Sequence, residues 1–357
     1  MRLYSGRTTL SKFLIEHCHA EQRELAALLI DVAAAVKAIS SVAGKGKLGG
    51  GNGVPGAMTV QGEEQHGLDV IANQLLIEHC EWSGLVAGML SADNEEPIPV
   101  RSELRRGSHL LVFDPLDGSS NIGVNVSVGT VFSVLCYEGS GAPTPAEYLQ
   151  PGSKQVAAGY ALYGPCTQLV LTIGKGTHGF TLDREIGNFV LTDPNLTIEP
   201  ETYEFAINVS NERFWEPPIK RYVSECKEGA TGIRARDFNM RWIASMVADV
   251  HRILMRGGVY MYPHDTKDPH RAGRWRLLSQ ANPVAFLVEQ AGGAASTGRG
   301  RILAMEPQSL HQRVPLIFGS RHEIERIERY HAEFAAGTDK PYCSPLFAQR
   351  SLFRVEA

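Results

Sequence analysis

Apolar residues recur along this chain with two spacings, which predict where it forms helices and where it forms strands. Helical spacing predicts a long helix over residues 21–41 and a second over residues 67–80. Runs rich in β-branched and aromatic residues predict strands. The further predicted elements are strands at residues 109–113, 124–137, 159–173 and 259–262, and helices at residues 241–254 and 281–291.

Glycine, proline and serine mark the predicted connections between these elements. Residues 44–53 are so rich in glycine that we expect a mobile loop, and residues 139–153 are expected to form a surface connection. From about Glu199 the predicted strands give way to helical patterns, and we place a domain boundary near Asp193-Pro194-Asn195. We therefore predict an N-terminal domain over residues 1–195, a C-terminal domain over residues 196–335 and a tail over residues 336–357.

The composition is that of a soluble globular protein acting on small molecules. Of 357 residues, 43% are hydrophobic and 21% charged, and a net charge of -4 without any basic run argues against nucleic acid or a membrane surface as partner. Six scattered cysteines without a Cys-x-x-Cys pair, and no secretory leader, predict a cytoplasmic protein with reduced thiols. No stretch is expected to span a bilayer, because the apolar residues 25–39 are interrupted by Asp31 and Lys37.

The most informative motif is DPLDGSSN at residues 114–121, which follows the predicted strand at residues 109–113. Pro115 cannot continue the hydrogen-bond ladder of a strand, so the backbone is expected to turn after Asp114. This turn would bring the carboxylates of Asp114 and Asp117 and the carbonyl oxygen of Leu116 into one space. Hard divalent cations such as Mg²⁺ bind oxygen donors of this kind.

The second half of the same motif predicts a phosphate site. Gly118, Ser119 and Ser120 offer backbone N–H groups and hydroxyls that can hold a phosphoryl group. A cation site next to a phosphate site is the chemistry of a metal-dependent phosphatase. For this motif on its own, an acidic turn capped by serine and asparagine is the alternative interpretation.

Other segments carry a wider resemblance. They are AVKAIS at residues 35–40, GYALYG at residues 159–164, SMVADVHR at residues 245–252 and the run from Asn282-Pro283 to Gly293. Together with DPLDGSSN they make most of residues 5–335 similar to the class I fructose-1,6-bisphosphatases. The resemblance implies an α+β fold, the layered αβαβα fold of sugar phosphatases with two α/β halves, usually assembled as a homotetramer.

The same resemblance implies an activity and its cofactors. The family removes the 1-phosphate of fructose 1,6-bisphosphate with Mg²⁺ or Mn²⁺, two or more ions per subunit, in pathways such as gluconeogenesis and the Calvin cycle. Bacterial relatives often accept sedoheptulose 1,7-bisphosphate as well. The partner implied is therefore a small sugar bisphosphate.

At the reacting end of the site, the resemblance assigns roles to acidic residues of this chain. Asp69 matches the residue that takes a proton from the attacking water, and Glu63 matches an acidic residue on a loop that closes over the site. Taken alone, these two would be interpreted as exposed surface carboxylates. The implied metal ligands are Asp114, the Leu116 carbonyl, Asp117, Asp93 and Gln280. Of these, Asp114 and Asp117 also count as catalytic.

At the far end, the resemblance implies a site for the second phosphate. Asn208, Arg241, Tyr262 and Arg274 match the residues that bind it, and Met246 matches a contact to the sugar. In the family, the equivalent of Arg241 reaches into the site of a neighbouring subunit. The alternative interpretation is a surface helix charge for Arg241 and core packing for Tyr262 and Met246.

This chain departs from the family at two metal positions. Where the family has paired glutamates after a serine, the chain reads Ser91-Ala92-Asp93-Asn94, and where the family has a glutamate before Asn-Pro, the chain has Gln280. Gln280 still has a carbonyl oxygen to offer, without the charge. A unit charge is worth roughly 4 kcal/mol at about 4 Å in an effective dielectric of about 20, before desolvation, so we expect one metal position to be weakened.

These departures leave two hypotheses open. The first is an active fructose-1,6-bisphosphatase in which Asp93, or Glu95 or Glu96 after a local rearrangement, replaces the missing ligand. The second is a catalytically weakened paralogue that acts as a sugar-phosphate-binding or assembly subunit. An inositol-phosphate or nucleotide-phosphate phosphatase of the wider superfamily is disfavoured by the C-terminal half.

Overall fold

The computed structural model describes residues 7–49, 67–268 and 271–339, and in them layers of helix, sheet, helix, sheet and helix follow one another. The outer helices α1 (Leu10–His17), α2 (Arg23–Ala43) and α3 (Gly67–Glu81) pack on one face of an eight-stranded sheet. The α+β fold with αβαβα layers is thus confirmed. The remaining helices are α4 (Pro145–Tyr148), α5 (Pro217–Glu228), α6 (Met246–Arg256), α7 (Asn282–Gln290) and α8 (Arg321–Ala335).

The eight-stranded sheet places two chain segments side by side at one edge. Its order is β2-β1-β3-β4-β5-β6-β7-β8, and its parallel pair, β1 and β3, aligns Ser91 with Phe113. Parallel strands end at the same edge of a sheet, so the residues that follow β1 meet the carboxyl end of β3 there. The strands are β1 (Val86–Ser91), β2 (Ile98–Pro99), β3 (His109–Asp117), β4 (Val128–Cys136), β5 (Gln155–Tyr163), β6 (Thr167–Thr172), β7 (Thr177–Asp183) and β8 (Asn188–Leu196).

The second sheet lies across a middle layer formed by α6 and α7. It has five strands in the order β10-β9-β11-β15-β13, and α5 and α8 cover its outer face. Its apolar inner face, the two middle helices and inner residues of the first sheet form one continuous core. The strands of the second half are β9 (Glu204–Ile207), β10 (Asn239–Met240), β11 (Val259–Tyr262), β12 (Trp275–Arg276), β13 (Ala294–Ser296), β14 (Arg313–Val314) and β15 (Leu316–Gly319), of which β12 and β14 pair separately.

Several predicted elements are confirmed and others are wrong. The long helices and the strand at residues 259–262 form as predicted. Residues 159–173 form parts of two strands rather than one, because Gly164 and its neighbours turn the chain between β5 and β6. Residues 139–153 are not only a surface connection, since they contain α4 with the fully buried Tyr148. The predicted helix at residues 241–254 begins only at Met246, because Ala244 has a φ of 66°, which is not helical.

The expectation about membrane spans needs one correction. The helical stretch Ala20–Ala43 is long and apolar enough to cross a bilayer. Half of its apolar window is buried inside the protein, where Leu28, Val32, Val36 and Ile39 belong to the core beneath the first sheet. This is the packing of a core helix. Of the predicted glycine-rich loop, Gly46–Gly49 form a short 3₁₀ turn and residues 50–53 lie outside the described residues.

Candidate active site

One open cleft of about 630 Å³ brings together most of the predicted site residues. It lies where the carboxyl edge of β1 and β3 meets the start of α6, the end of β11 and the turn before α7. The predicted residues that line it are Asp69, Asp93, Asp114, Leu116, Asp117, Gly118, Ser119, Ser120, Asn208, Met246, Tyr262, Arg274 and Gln280.

Two buried aspartates form the floor of this cleft. Asp114 and Asp117 expose 5% and 2% of their surface, and the pairing of β3 with β4 shifts register between them. This bulge follows from Pro115, and it turns both side chains towards the cleft. Asp114 Oδ1 accepts the Leu116 N–H at 3.3 Å, and Asp117 Oδ2 accepts the Val247 N–H at 3.2 Å. Burial and the adjacent charge of Asp114 raise the pKa of the Asp117 carboxyl well above its ordinary range.

The chemistry of these donors fits a divalent cation. Two buried carboxylates side by side repel each other unless a positive group lies near them, and carboxylate and carbonyl oxygens are the ligands that Mg²⁺ and Mn²⁺ prefer. Across residues 7–49, 67–268 and 271–339, no three carboxylate, histidine or cysteine side chains are close enough to hold an ion by themselves. The Leu116 carbonyl and water would therefore have to complete a site built on Asp114 and Asp117.

Gln280 turns donor hydrogens, not its carbonyl oxygen, towards this pair. Its Nε2 donates to Asp114 Oδ2 at 2.6 Å and lies 3.4 Å from Asp117 Oδ1. The oxygen that the sequence offered as a ligand instead accepts the backbone N–H of Arg276 at 2.9 Å. The predicted ligand atom therefore has another partner in this structure.

Asp69 and Asp93 are two further carboxylates that line the cleft. Asp69 lies in the first turn of α3 and is 5% exposed, so it is not a solvated surface carboxylate. Asp93 is held at the cleft because its N–H donates to Ser91 Oγ at 3.1 Å, while Ser91 Oγ donates to Asn73 on α3 at 2.7 Å. The neighbouring Ala92 is buried and offers no ligand oxygen from its side chain.

The other acidic candidates lie elsewhere. Glu95 and Glu96 are exposed and are not among the residues that line the cleft, so the predicted rearrangement does not occur in this structure. Glu63 lies outside the described residues.

The phosphate turn is tied to the segment that precedes α6. Gly118 has a φ of 80° and begins a 3₁₀ helix at Ser119–Val124. A Cβ at position 118 would come within 3.2 Å of Ser245 Oγ, so both the backbone conformation and the space favour glycine. Asn121 Nδ2 donates to the Ala244 carbonyl at 2.9 Å. The turn and the start of α6 therefore hold each other in position.

The far end of the cleft is cationic and aromatic. The Arg274 guanidinium lies 5.8 Å from the ring centroids of Tyr262 and of Trp275, and Arg313 donates to the Arg274 carbonyl at 2.6 Å. Trp242 stacks on Tyr260, with 5.6 Å between the ring centroids. This wall offers guanidinium and hydroxyl donors next to flat apolar faces, which suits a sugar phosphate.

Sequence reasoning missed several residues of this end. Arg271, Trp275 and Arg276 could have been found, because Arg-Ala-Gly-Arg-Trp-Arg places three cations within residues 271–276. Tyr260 could also have been found, because it lies two residues before Tyr262 on the predicted strand and side chains two apart share a face. Arg313 had no local signal, since it comes from a separate strand. Ala244 also lines the cleft and was not predicted, whereas Trp242 lines it at the position where the resemblance implies a tyrosine near the second phosphate.

The remaining predicted residues, Met246, Asn208 and Arg241, differ in where they lie relative to the cleft. Met246 is 2% exposed and both lines the cleft and belongs to the central core, so the two interpretations hold together. Asn208 caps a 3₁₀ helix by accepting the Ser210 N–H at 3.2 Å. Arg241 does not line the cleft of its own chain; its side chain is 48% exposed and lies 4.0 Å from Glu204.

Comparisons with known proteins agree with this geometry. Residues 8–194 match the family model described as fructose-1-6-bisphosphatase, N-terminal domain, and residues 198–332 match the model of its C-terminal domain. The chain belongs to the fructose-1,6-bisphosphatase family. It is 54% identical over 352 residues to "Fructose-1,6-bisphosphatase class 1 3" of Methylibium petroleiphilum and 53% identical over 351 residues to the class 1 protein of Methylacidiphilum infernorum, with 98% of both chains covered in each case.

Solved structures of the fructose-1,6-bisphosphatase family share the fold. The Leishmania major fructose-1,6-bisphosphatase in its holo form superposes with a TM-score of 0.85 at 36% identity, and its T-state with a TM-score of 0.80, each covering 91% of this chain and 99% of that chain. This is a family of divalent-metal-dependent hydrolases of carbohydrate metabolism. The alternative of a weakened paralogue that acts as a binding subunit is not supported.

Proposed function

We propose that this protein hydrolyses the 1-phosphate of fructose 1,6-bisphosphate and releases fructose 6-phosphate and phosphate. The observation that carries the proposal is that a single cleft holds a buried pair of carboxylates at one end and a cationic, aromatic wall at the other. A substrate with a phosphate at each end matches both ends at once. Sedoheptulose 1,7-bisphosphate has the same two ends and is the second substrate to test.

At the reacting end, we propose that Asp93, Asp114, the Leu116 carbonyl and Asp117 hold Mg²⁺ or Mn²⁺, two or more ions per subunit. Bound cations neutralise charge on the transferring phosphoryl group and make water a better nucleophile. Gly118, Ser119 and Ser120 hold the phosphoryl oxygens through backbone N–H groups and hydroxyls, which keeps the phosphorus in line with the attacking water.

Asp69 is proposed as the proton acceptor. As the oxygen of water bonds to phosphorus, Asp69 takes the proton that this water loses, and the ester P–O bond to the sugar breaks. The sugar oxygen leaves with the electron pair of that bond and is then protonated. Glu63 is proposed to lie on the loop that closes over the site.

At the far end, Asn208, Tyr262 and Arg274 are proposed to bind the second phosphate, and Met246 to contact the sugar. The exposed Arg241 is proposed to serve the site of a neighbouring subunit in a homotetramer. Its exposure and its position outside the cleft of its own chain support this role.

The proposed organisation keeps an N-terminal metal- and phosphate-binding domain over residues 1–195, a C-terminal sugar-phosphate-binding domain over residues 196–335 and a tail over residues 336–357. The matches to two family models, which meet between residues 194 and 198, support that division. We propose a cytoplasmic enzyme that serves gluconeogenesis or the Calvin cycle.

The direct test is phosphate release by the purified protein from both bisphosphates across a series of Mg²⁺ concentrations. Asp117→Asn removes ligand charge while it keeps the volume and the acceptor for the Val247 N–H. We expect turnover to fall by about a hundred- to thousandfold, as when one electrostatic stabiliser is removed. Asp237→Asn, on the surface, is the matched control. Phosphate release by Asp117→Asn at the wild-type rate would rule out this metal site.

A further inference from the structure

Gln280 lies between the two buried aspartates at the floor of the cleft. Its Nε2 approaches Asp114 Oδ2 at 2.6 Å and Asp117 Oδ1 at 3.4 Å. All three residues are at most 5% exposed. Hydrogen bonds from an amide to carboxylates are strong where little water competes for them.

The orientation of this amide is fixed by its other end. Oε1 accepts the backbone N–H of Arg276 at 2.9 Å. A backbone N–H can only donate, so a rotated amide would set two donors against each other and would turn its oxygen towards two carboxylates. The NH₂ group must therefore face Asp114 and Asp117.

The backbone around Gln280 supports the same arrangement. Leu277–Ala281 forms a π-helical turn directly before α7, and all of its residues are buried. Turns of this kind are rare and occur frequently at functional sites. Here the turn returns the Gln280 side chain to Arg276, four positions earlier, and fixes the amide above the aspartate pair.

We propose that the Gln280 amide replaces one cation between Asp114 and Asp117. Two adjacent buried carboxylates need a positive partner, and the two amide hydrogens face the oxygens that a bridging ion would bind. The position between the two aspartates then takes no ion. Ions would instead be held next to it, by the ligands proposed above: Asp93, Asp114, the Leu116 carbonyl and Asp117. The inference rests on the proposed function, because it concerns the ions which that function uses.

In this arrangement, Gln280 is a positioning residue. It keeps the two aspartates in place when no metal is bound. A glutamate at the same position would instead add a third negative charge and would need an ion to balance it. The wild type and a protein with glutamate at position 280 should therefore differ in their stability without metal and in the number of ions that they bind.

The test compares the wild type with Gln280→Glu, which is nearly isosteric. Gln290→Glu is the control. Gln290 is the last residue of α7, and its Oε1 accepts the Gly176 N–H at 3.0 Å, as a carboxylate oxygen also can. Each protein is prepared with Mn²⁺, and the bound Mn²⁺ is counted after dialysis. The thermal unfolding midpoint is then measured in EDTA and in Mn²⁺.

We expect Gln280→Glu to bind more Mn²⁺ than the wild type by about one ion per chain, because a third carboxylate completes a set of oxygen ligands. Its unfolding midpoint in EDTA should fall by several degrees and recover in Mn²⁺, whereas Gln290→Glu should behave as the wild type. Equal Mn²⁺ counts, or equal midpoints in EDTA, would overturn the proposal.

A second variant guards against a failure of Gln280→Glu to fold. Gln280→Met keeps the volume and removes both donors, so its midpoint in EDTA should also fall by several degrees. A midpoint that stays at the wild-type value would show that the glutamine only fills space, which contradicts the proposal. Hydrolysis of fructose 1,6-bisphosphate is measured on the same preparations. If the wild type does not hydrolyse the substrate but Gln280→Glu binds about one more Mn²⁺ than the wild type, only the proposed function is contradicted. If the wild type hydrolyses the substrate but the two proteins bind equal numbers of Mn²⁺, only this inference is contradicted.

Discussion

Asp249 is a buried acid that supports the segment before α6, and its removal gives a sharp test of the electrostatics behind the cleft. The residue is 1% exposed, and its Oδ1 accepts the Ile243 N–H at 3.3 Å. Its Oδ2 is buried without a hydrogen-bond partner among the described residues. Burial is the main cause that raises its pKa from 3.8 to about 7. The change to make is Asp249→Asn, which keeps the acceptor and removes the charge.

The magnitude follows from that pKa. An acid with a raised pKa in the folded state contributes stability that is fully present below its unfolded pKa of 3.8 and is lost as the pH rises through about 7. At about 1.36 kcal/mol for each pKa unit, the part of this loss that falls above pH 5 is about 3 kcal/mol. Asparagine does not titrate, so the stability of Asp249→Asn relative to the wild type should rise by about 3 kcal/mol between pH 5 and pH 8.5.

The assay is urea unfolding of both proteins in EDTA at pH 5, 7 and 8.5. EDTA keeps metal binding out of the comparison. The aspartate pair titrates in both proteins, and the charge of Asp249 is only the last of the causes that raise the pKa of Asp117, after burial and the charge of Asp114. Asp237→Asn is the control, because Asp237 is exposed and accepts one backbone N–H, from Ala230, at 2.8 Å. The reasoning would be refuted if the difference in unfolding free energy between Asp249→Asn and the wild type stayed constant over this pH range. That result would mean that Asp249 stays ionised and that the backbone N–H groups compensate its charge.

Two further substitutions test the backbone and the substrate end. Ala244→Gly should raise the free energy of unfolding by about 0.5–1 kcal/mol, because relief of the strained φ of 66° outweighs the added chain entropy of glycine. Ala248→Gly is the control inside α6, and it should lower the free energy of unfolding by about 1 kcal/mol in the same urea experiment. A loss of stability in Ala244→Gly as well would contradict this account of strain. Arg274→Gln should raise the KM for fructose 1,6-bisphosphate by about tenfold or more with a smaller effect on kcat. Arg274→Lys should raise the KM less, because it keeps the cation and loses only the planar donor group. A fall in kcat at unchanged KM would place Arg274 at the reacting phosphate instead.

The parts of the site that the sequence could predict are those that a few consecutive residues determine. Pro115 ends regular pairing, and Gly118 permits a positive φ, so the turn that carries Asp114 and Asp117 is specified locally. The long helices are predictable for the same reason, because their apolar spacing lies within one segment.

The parts that could not be predicted depend on contacts between distant segments. Arg313 reaches the cleft from a separate strand, and nothing in its neighbourhood in the sequence signals that position. The direction of the Gln280 amide depends on a backbone N–H at Arg276. The late start of α6 depends on Ala244, whose φ is set by the Asn121 and Asp249 contacts on either side of it rather than by its own preference.

The two departures from the family ligand set therefore have different physical consequences. At position 280 the lost carboxylate is compensated without any charge, because the neutral amide of Gln280 donates hydrogen bonds to the two aspartates that an ion would otherwise bind. At position 92 nothing replaces it, since Ala92 is buried and the bonds of Ser91 to Asn73 and to the Asp93 N–H hold that segment against α3. Asp93 can then approach an ion only by its own side chain, without a shift of the backbone. A weakened affinity for Mg²⁺ would consequently arise at the wall formed by residues 91–94, and Gln280→Glu alone would not restore it.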